Sequence, residues 1–219
     1  MGDNVGVDNN DVNVYFGRFT LTHVTEQPYH HGNLRSALLE QAERTIDERG
    51  AQALSLRELA REIGVSHAAP RRHFPDRQAL LDALAEDGFE RLGGELARAV
   101  EGAGTAFDAR MHALAQAYIA FATRHAALLE LMFAGKQRAG AGRVRESADR
   151  TFATALAVIA EAQASGELAV GDPGRVAIVA FATLQGLATM ANGSMIDAAP
   201  IDVVVTDAID QLLDGLRPR

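Results

Sequence analysis

The chain has 219 residues, of which 47% are hydrophobic, so it is long and apolar enough for one large domain or two smaller ones. It contains no cysteine, which excludes disulfides and thiolate chemistry, and its polar first residues carry no secretory signal, so a cytoplasmic protein is expected. The net charge of -8 disfavours nucleic-acid binding by the chain as a whole. The charge is unevenly distributed, however: residues 28–77 hold eight Arg and seven acidic residues, whereas residues 78–219 hold twelve basic and eighteen acidic residues.

Residues 1–27 mix Asn, Asp and Val without a helical or strand period. This composition predicts a disordered extension or a loose arm. Its acids outnumber its single Arg, which makes it a poor DNA-binding arm, and Val24 is an alternative candidate for the first translated residue.

A first helix is predicted within the run HHGNLRSALLEQAERTIDERG, residues 30–50. Asn33 is its candidate N-cap and Gly50 its end. The spacing of the apolar residues places one set on the buried face: Leu34, Ala37, Leu38, Ala42 and Ile46. The adjacent His30 and His31 lack the i, i+4 spacing and the nearby carboxylates of a metal site, so no metal is expected.

A helix-turn-helix is predicted next. Its first helix has apolar residues at spacings of three and four: Leu56, Leu59, Ala60 and Ile63. Ser55 and Glu58 have the spacing of a capping box at its start. Gly64 follows the last apolar position and allows the left-handed conformation that ends a helix, so a sharp turn is expected.

The second helix is predicted over residues 67–74, with Ser66 as its N-cap. Two helices joined by a short turn containing Gly form the unit that places its second helix in the DNA major groove. Helical hairpins with a Gly in the turn are also common in proteins where they only pack the core and do not bind DNA. Pro70 sacrifices about one hydrogen bond if Ser66 is the cap and none if the helix begins nearer Ala69, so the first turn is expected to be stiff.

Asp76 is the candidate cap of a long helix that runs toward Ala99. The run EGAGT, residues 101–105, has two Gly and no apolar anchor and is the expected boundary after this helix. The predicted fold is all-α, with a three-helix DNA-binding domain at residues 28–77, which contains the helix-turn-helix, and a larger helical domain at residues 78–219.

The larger domain shows helical spacing throughout, on residues 107–121, 128–133 and 152–159. Residues 134–145 are rich in Gly and basic residues but lack the spacing and the preceding strand of a phosphate-binding loop, so a flexible loop is expected. The longest apolar stretch, residues 176–191, is interrupted by polar residues and too short for a bilayer span, so no membrane is expected.

The two final helices are predicted near residues 173–195 and 200–216. The first is apolar on nearly every side, with small residues that permit close approach, and an all-apolar helix needs cover on all sides. We therefore expect a homodimer built on a four-helix bundle. The interface candidates are Ala180, Leu184, Gly186, Leu187, Ile209 and Leu213.

The run ALSLRELAREIGVSHAAPRRHFPDRQALLDAL, residues 53–84, resembles the DNA-binding domain of TetR-family bacterial transcriptional regulators, and residues 30–50 resemble the preceding helix of that family. The resemblance implies a dimeric regulator that uses its last two helices for dimerisation. Arg71 stands where most relatives have a phosphate-contacting Tyr, and Arg77 where the family has a Lys directed at phosphate. A subgroup marked by Trp-His-Gly is matched here only in the Gly of Leu184, Gln185 and Gly186.

These patterns and the resemblance predict a repressor that binds a palindromic operator in double-stranded DNA. The expected DNA contacts are Ser55, Arg57, Ser66, His67, Ala68, Arg71, Arg72, His73 and Arg77. Arg71 can contact a phosphate or reach a guanine edge, and both roles stay open.

A small apolar effector is expected to bind in the helical body, with no other cofactor. The candidate lining residues are Met111, Leu114, Tyr118, Phe121, Met132, Phe133, Phe152 and Phe181. A stripe of aromatic residues and Met at helical spacing is also typical of plain core. An enzyme is not expected, because His112, His125, Asp108 and Glu130 form no nucleophile-base pair or metal-ligand pattern. The alternative function is a helical interaction module that has lost specific DNA binding.

Overall fold

The structure is a computed structural model that describes residues 31–196 and 200–218, with side chains from residue 34. The predicted extension at residues 1–27 lies outside the described residues. The described part contains eight α-helices and no strand. The helices are α1 (His31–Arg49), α2 (Leu56–Glu62), α3 (Arg77–Gly102), α4 (Phe107–Arg124), α5 (Ala126–Gln137), α6 (Gly142–Ser165), α7 (Pro173–Asn192) and α8 (Ile201–Leu216). The all-α prediction is confirmed.

Helix α1 begins two residues before the expected cap, because Asn33 already lies inside it. It ends at Arg49, and Gly50 follows with a φ of 78°. The left-handed conformation there favours Gly, since a side chain would be strained. The buried face of α1 packs against α2, α3 and α5, so this helix contacts both the helix-turn-helix and the larger helical body.

Helix α2 ends as its sequence predicts. Gly64 has a φ of 74°, the Gly64 amide donates to the Arg61 carbonyl (3.2 Å), and the Val65 amide donates to the Ala60 carbonyl (2.9 Å). These two bonds define a Schellman motif, which satisfies carbonyls at the helix end. The expected capping box at the other end is wrong, because the Ser55 side chain makes no capping hydrogen bond.

The predicted second helix over residues 67–74 is wrong. Residues 67–69 form turns, and Pro70–Arg72 form one turn of 3₁₀ helix. The Ala69 amide donates to the Ser66 carbonyl (3.0 Å), and the His73 amide donates to the Pro70 carbonyl (3.0 Å), so both bonds have three-residue spacing. The cause is Pro70, which lacks the amide that an α-helix from Ser66 would use.

Helix α3 is the central element of the fold and packs against α1, α4, α5 and α6. Its predicted cap is confirmed, because the Asp76 carboxylate accepts from the Ala79 amide at 2.8 Å. Two glycines permit close packing along it. A Cβ on Gly88 would lie 2.6 Å from the Met132 sulfur on α5, and one on Gly93 would lie 3.4 Å from Thr151 on α6.

The expected flexible loop at residues 134–145 is mostly helix. Helix α5 continues to Gln137 and α6 begins at Gly142. Two of the four basic residues of this segment are paired with α3: the Arg138 guanidinium donates to the Asp82 carboxylate, and that of Arg143 donates to Glu86 at 2.7 Å. These ion pairs anchor the α5–α6 connection on α3.

Helix α6 buries residues that follow helical spacing, whereas Leu156 is exposed. The buried residues are Val144, Ser147, Ala148, Thr151, Val158, Ile159 and Ala162. The Thr151 hydroxyl, which is buried, lies 2.7 Å from the Phe89 carbonyl of α3 and donates to it. This polar contact joins the two longest packed helices at the point where Gly93 allows their close approach.

Candidate nucleic-acid interface and internal cavity

Four arginines of the helix-turn-helix are exposed and form no ion pair with any described residue: Arg57, Arg61, Arg71 and Arg72. Ser66, His67 and Ala68 are exposed beside them. Most other arginines of the described chain are paired with carboxylates. An unpaired group of guanidinium ions attracts phosphate through its local field, whatever the net charge of the chain. Arg61 was missed by the sequence analysis, although it lies one helical turn from Arg57.

Three further candidates have a different environment. Ser55 and His73 are half-buried, and the His73 ring packs beside Phe74 with a centroid distance of 6.4 Å. Arg77 does not extend outward as the resemblance implied. Its guanidinium donates to the carbonyls of Leu54 (3.0 Å) and Ala51 (2.5 Å) in the short connection after α1, where the Ala51 carbonyl also accepts from the Leu54 amide at 3.2 Å. Arg77 therefore holds that connection against α3.

A cluster of charged residues joins α1 to the helical body. The Glu43 carboxylate of α1 accepts from the Arg91 guanidinium of α3 at 2.5 and 3.1 Å and lies 2.9 Å from His125 Nδ1 at the α4–α5 junction. Burial by itself would raise the pKa of Glu43, but the hydrogen bonds and charges of Arg91 and His125 outweigh it and hold that pKa below its ordinary value. The sequence did not indicate this joint, by which we mean the cluster of Glu43, Arg91 and His125, because the partners of Glu43 are 48 and 82 positions away along the chain.

An apolar cavity of about 280 Å³, partly open to solvent, lies in the helical body between α4, α5, α6 and α7, and its lining includes Ile178 of α7, which is 61% exposed. Six of the eight predicted lining residues line it: Met111, Leu114, Tyr118, Phe133, Phe152 and Phe181. Phe121 and Met132 do not, because both are fully buried in the packing around α3. The sequence analysis missed lining residues on α3 and α6, such as Leu96, Ala155 and Ile159.

Four aromatic rings form one cluster in the cavity wall. The Phe181 ring lies at its centre, with centroid distances of 5.8 Å to Tyr118, 5.5 Å to Phe133 and 5.3 Å to Phe152. The Tyr118 hydroxyl donates to the Gln185 side-chain oxygen, and burial raises the pKa of Tyr118. The Tyr118 phenol is therefore neutral, and its hydroxyl proton is engaged in the hydrogen bond to Gln185.

The predicted interface residues on α7 and α8 fall into two groups, one buried within the chain and one at least partly exposed. Ala180 and Leu184 line the cavity, while Ile209 and Leu213 are buried within the chain, so these four positions are not available at the surface. Leu187 is half-buried, and Gly186 is exposed with no atom within 4 Å of a Cβ built on it. The exposed apolar residues of α7 are Ile178, Val179 and Met190. They were missed because periodicity alone cannot orient a helix that is apolar on every side.

Helix α7 is the one helix of the described residues that is long and apolar enough to cross a membrane, with a mean hydropathy of 1.3. Only 11% of that window is buried within the single chain. An interface helix passes the same test of length and composition, so this feature by itself is weak support for a membrane span.

The two histidines considered for catalysis, His112 and His125, lie in different parts of the structure. His125 contacts Glu43 at the joint, whereas His112 lies 2.9 Å from Asp210 on α8. Among the residues that the structure describes, no group of three or more His, Asp or Glu is placed to hold a metal ion.

A helix and Gly turn that carry exposed arginines, beside a helical body with an apolar cavity, are typical of the class of DNA-binding regulators of transcription. Residues 38–84 match the sequence profile described as "Bacterial regulatory proteins, tetR family", and residues 111–216 match the profile described as "Tetracyclin repressor-like, C-terminal domain". The chain belongs to the TetR family of bacterial transcriptional regulators. No functionally curated protein matches it.

Solved structures agree with this fold. A protein with unknown function from Rhodococcus sp. RHA1 is 53% identical, with a TM-score of 0.83, and the match covers 88% of this chain and all of the other. The TetR-family regulator PfmR from Thermus thermophilus is 18% identical, with a TM-score of 0.65 over 83% of this chain and 99% of the other. A tetR-family regulatory protein from Rhodococcus RHA1 is 14% identical, with a TM-score of 0.67 over 84% and 97%. These last two support the fold alone.

Proposed function

We propose that the chain is a ligand-responsive repressor that acts in the cytoplasm as a homodimer on a palindromic DNA operator. The observation that carries this proposal is the group of unpaired, exposed arginines on the helix-turn-helix of a TetR-family chain. Residues 28–77 would form the DNA-binding domain and residues 78–219 the ligand-binding and dimerisation domain. Family members are typically not enzymes, and we propose no catalytic activity.

Arg57, Arg61, Arg71 and Arg72 are the proposed DNA contacts, together with the exposed Ser66, His67 and Ala68. Arg71 and Arg72 are adjacent on the 3₁₀ turn, and both are exposed. Phosphate contacts would position the protein, and one bidentate guanidinium on a guanine edge would supply sequence specificity. Arg77 is left out of this set, because its guanidinium is already bound to two backbone carbonyls.

The dimer would form on the exposed face of α7, where Ile178, Val179 and Met190 leave apolar surface in solvent and Gly186 permits close approach. A two-fold axis makes such a patch self-complementary, since the same residues meet from both chains. A symmetric dimer would place its two helix-turn-helix modules about one turn of DNA apart, roughly 34–36 Å.

The effector would bind in the apolar cavity and act through differential affinity. A ligand shifts an equilibrium only if it binds the two conformations unequally, so it must favour the conformation that does not fit the operator. The physical connection runs through α3 and through the joint of Glu43, Arg91 and His125, which ties α1 to the body.

The alternative is a helical interaction module without specific DNA binding, and one observation favours it: the segment after the Gly64 turn is a single 3₁₀ turn rather than a recognition helix. The salt dependence of DNA affinity separates the two. Neutralising several phosphates makes the affinity fall steeply with salt, by a slope of about 0.9 per phosphate on logarithmic axes. A steep slope with a preference for operator sequence supports the repressor, whereas no DNA binding at low salt supports the interaction module.

A further inference from the structure

Lys136 is the one charged side chain among the described residues that line the cavity. The other lining residues are aliphatic or aromatic, apart from Gly174 and the neutral Tyr118. Lys136 follows Phe133 by three positions on α5, so the two side chains share a face of that helix. The aliphatic stem of Lys136 can therefore continue the apolar wall while its ammonium group stays at the solvent edge, as long basic side chains commonly do.

The positive charge of Lys136 is only weakly balanced within the described chain. Its ion-pair partner is the carboxylate of Asp149 on α6, at 3.9 Å, which is the outer limit of an ion pair. The Asp149 side chain is 75% exposed, whereas that of Lys136 is 35% exposed. A contact this long and this hydrated holds the ammonium group only weakly, so it remains available to an anion in the cavity.

No other hydrogen-bond donor is free on the side chains that line the cavity in the described part of the chain. The Tyr118 hydroxyl has given its proton to Gln185, and the remaining lining side chains carry no polar atom. A ligand whose hydrogen-bond acceptor entered the aromatic end would lose its hydration there without finding a free donor. A ligand with its polar group at Lys136 and its apolar body among the four rings avoids that cost.

We propose that the effector is a small amphipathic weak acid, with one anionic head beside Lys136 and an apolar, aromatic body against Phe133, Phe152 and Phe181. This inference rests on the proposed effector function of the cavity and adds the chemical class of the ligand. A volume of about 280 Å³ is near the lower end of the ~300–1,000 Å³ of typical ligand pockets, so the body is limited to about one or two fused rings. An ammonium ligand is disfavoured by the charge of Lys136.

The test compares naphthalene-2-carboxylate with naphthalene-2-carboxamide, two probes of nearly the same shape that differ in charge. Their affinities for the full-length protein are measured by calorimetry at pH 7, at low and at moderate salt. The carboxylate should bind about twofold to fivefold more tightly than the amide, as expected for one partly exposed ion pair. In Lys136→Met this preference should disappear while the amide binds as before, and Lys136→Arg should retain it.

A cavity-filling variant locates the binding. Ala155→Phe places a ring in the cavity wall and should weaken both probes in parallel, whereas Asp149→Asn should keep or increase the preference for the acid. Equal affinity of the two probes for the wild-type protein would overturn the inference about ligand charge, but it would not contradict the proposal that an effector binds in the cavity. Binding of neither probe would overturn both, because the cavity would then be a packing void rather than a ligand site.

Discussion

Replacing Glu43 with Gln removes the carboxylate that contacts both Arg91 and His125 directly, and it keeps the size of the side chain. Asp87, 3.6 Å from Arg91, remains in the variant. The Glu43 side chain is 16% exposed and its partners are 35% and 23% exposed, so the cluster lies between a buried and a surface ion pair. Breaking a buried pair costs about 3–5 kcal/mol, and an exposed pair contributes about 0.2–1 kcal/mol. We therefore expect the substitution to lower the free energy of unfolding by about 1.5–2 kcal/mol per chain at pH 7.

The pH dependence of this difference follows from the direction of the pKa shift. The pKa of Glu43 in the folded protein is lower than its ordinary value, which in an unfolded chain is about 4.3. Its stabilising contribution is therefore complete above that pH and is lost as the pH falls through the folded pKa. The difference between the wild-type protein and Glu43→Gln should be present at pH 5 and should shrink as the pH falls below ~4.3.

Urea unfolding followed by circular dichroism, at several pH values and one fixed protein concentration, measures this difference. Glu161→Gln is the matched control, because the Arg110–Glu161 pair has a similar distance of 2.7 Å but its Glu161 side chain is 62% exposed. The control should cost less than about 1 kcal/mol. A loss for Glu43→Gln no larger than the control, or one unchanged down to pH 3.5, would refute the assignment of this cluster as a structural joint.

Three further substitutions test other parts of the account. Arg72→Ala should weaken binding to operator DNA and reduce the salt slope by about 1 without unfolding the dimer, and unchanged affinity at moderate salt would remove Arg72 from the contact set. Gly186→Leu should disrupt dimerisation in analytical ultracentrifugation, since the position is open in one chain; an intact dimer would contradict the proposed interface. Gly88→Ala should destabilise by roughly 1 kcal/mol, because its Cβ would lie 2.6 Å from the Met132 sulfur and overpacking exceeds the helix-propensity gain. Gly94→Ala, whose nearest neighbour is 3.5 Å away, should stabilise slightly, and equal effects of the two would refute the close packing.

The helices and their ends were predictable where local chemistry decides them. Apolar spacing, the left-handed turn at Gly64 and the carboxylate cap of Asp76 depend on neighbours a few positions away, and the structure contains each of them. Pro70 was recognised as a problem, but periodicity could not show that its missing amide would reduce the second helix to a 3₁₀ turn.

Long-range contacts decided the remaining features. Arg77 bonds to carbonyls more than twenty positions away, and the basic residues Arg138 and Arg143 pair with α3 instead of extending into a loop. Similarly, an all-apolar α7 gives no sign in its sequence of which face lies inward, so Ala180 and Leu184 belong to the cavity rather than the surface. Such pairings require the arrangement of the helices, which spacing along one helix does not contain.

We propose above that this chain binds a palindromic DNA operator as a symmetric dimer. Footprinting of the purified protein on duplex DNA from upstream of its own gene, with random-sequence competitor present, tests it most directly. We expect competitor-resistant protection of two half-sites related by two-fold symmetry, with centres about one helical turn apart. Absence of protection at low salt, or protection that competitor removes entirely, would contradict the claim and favour a helical interaction module.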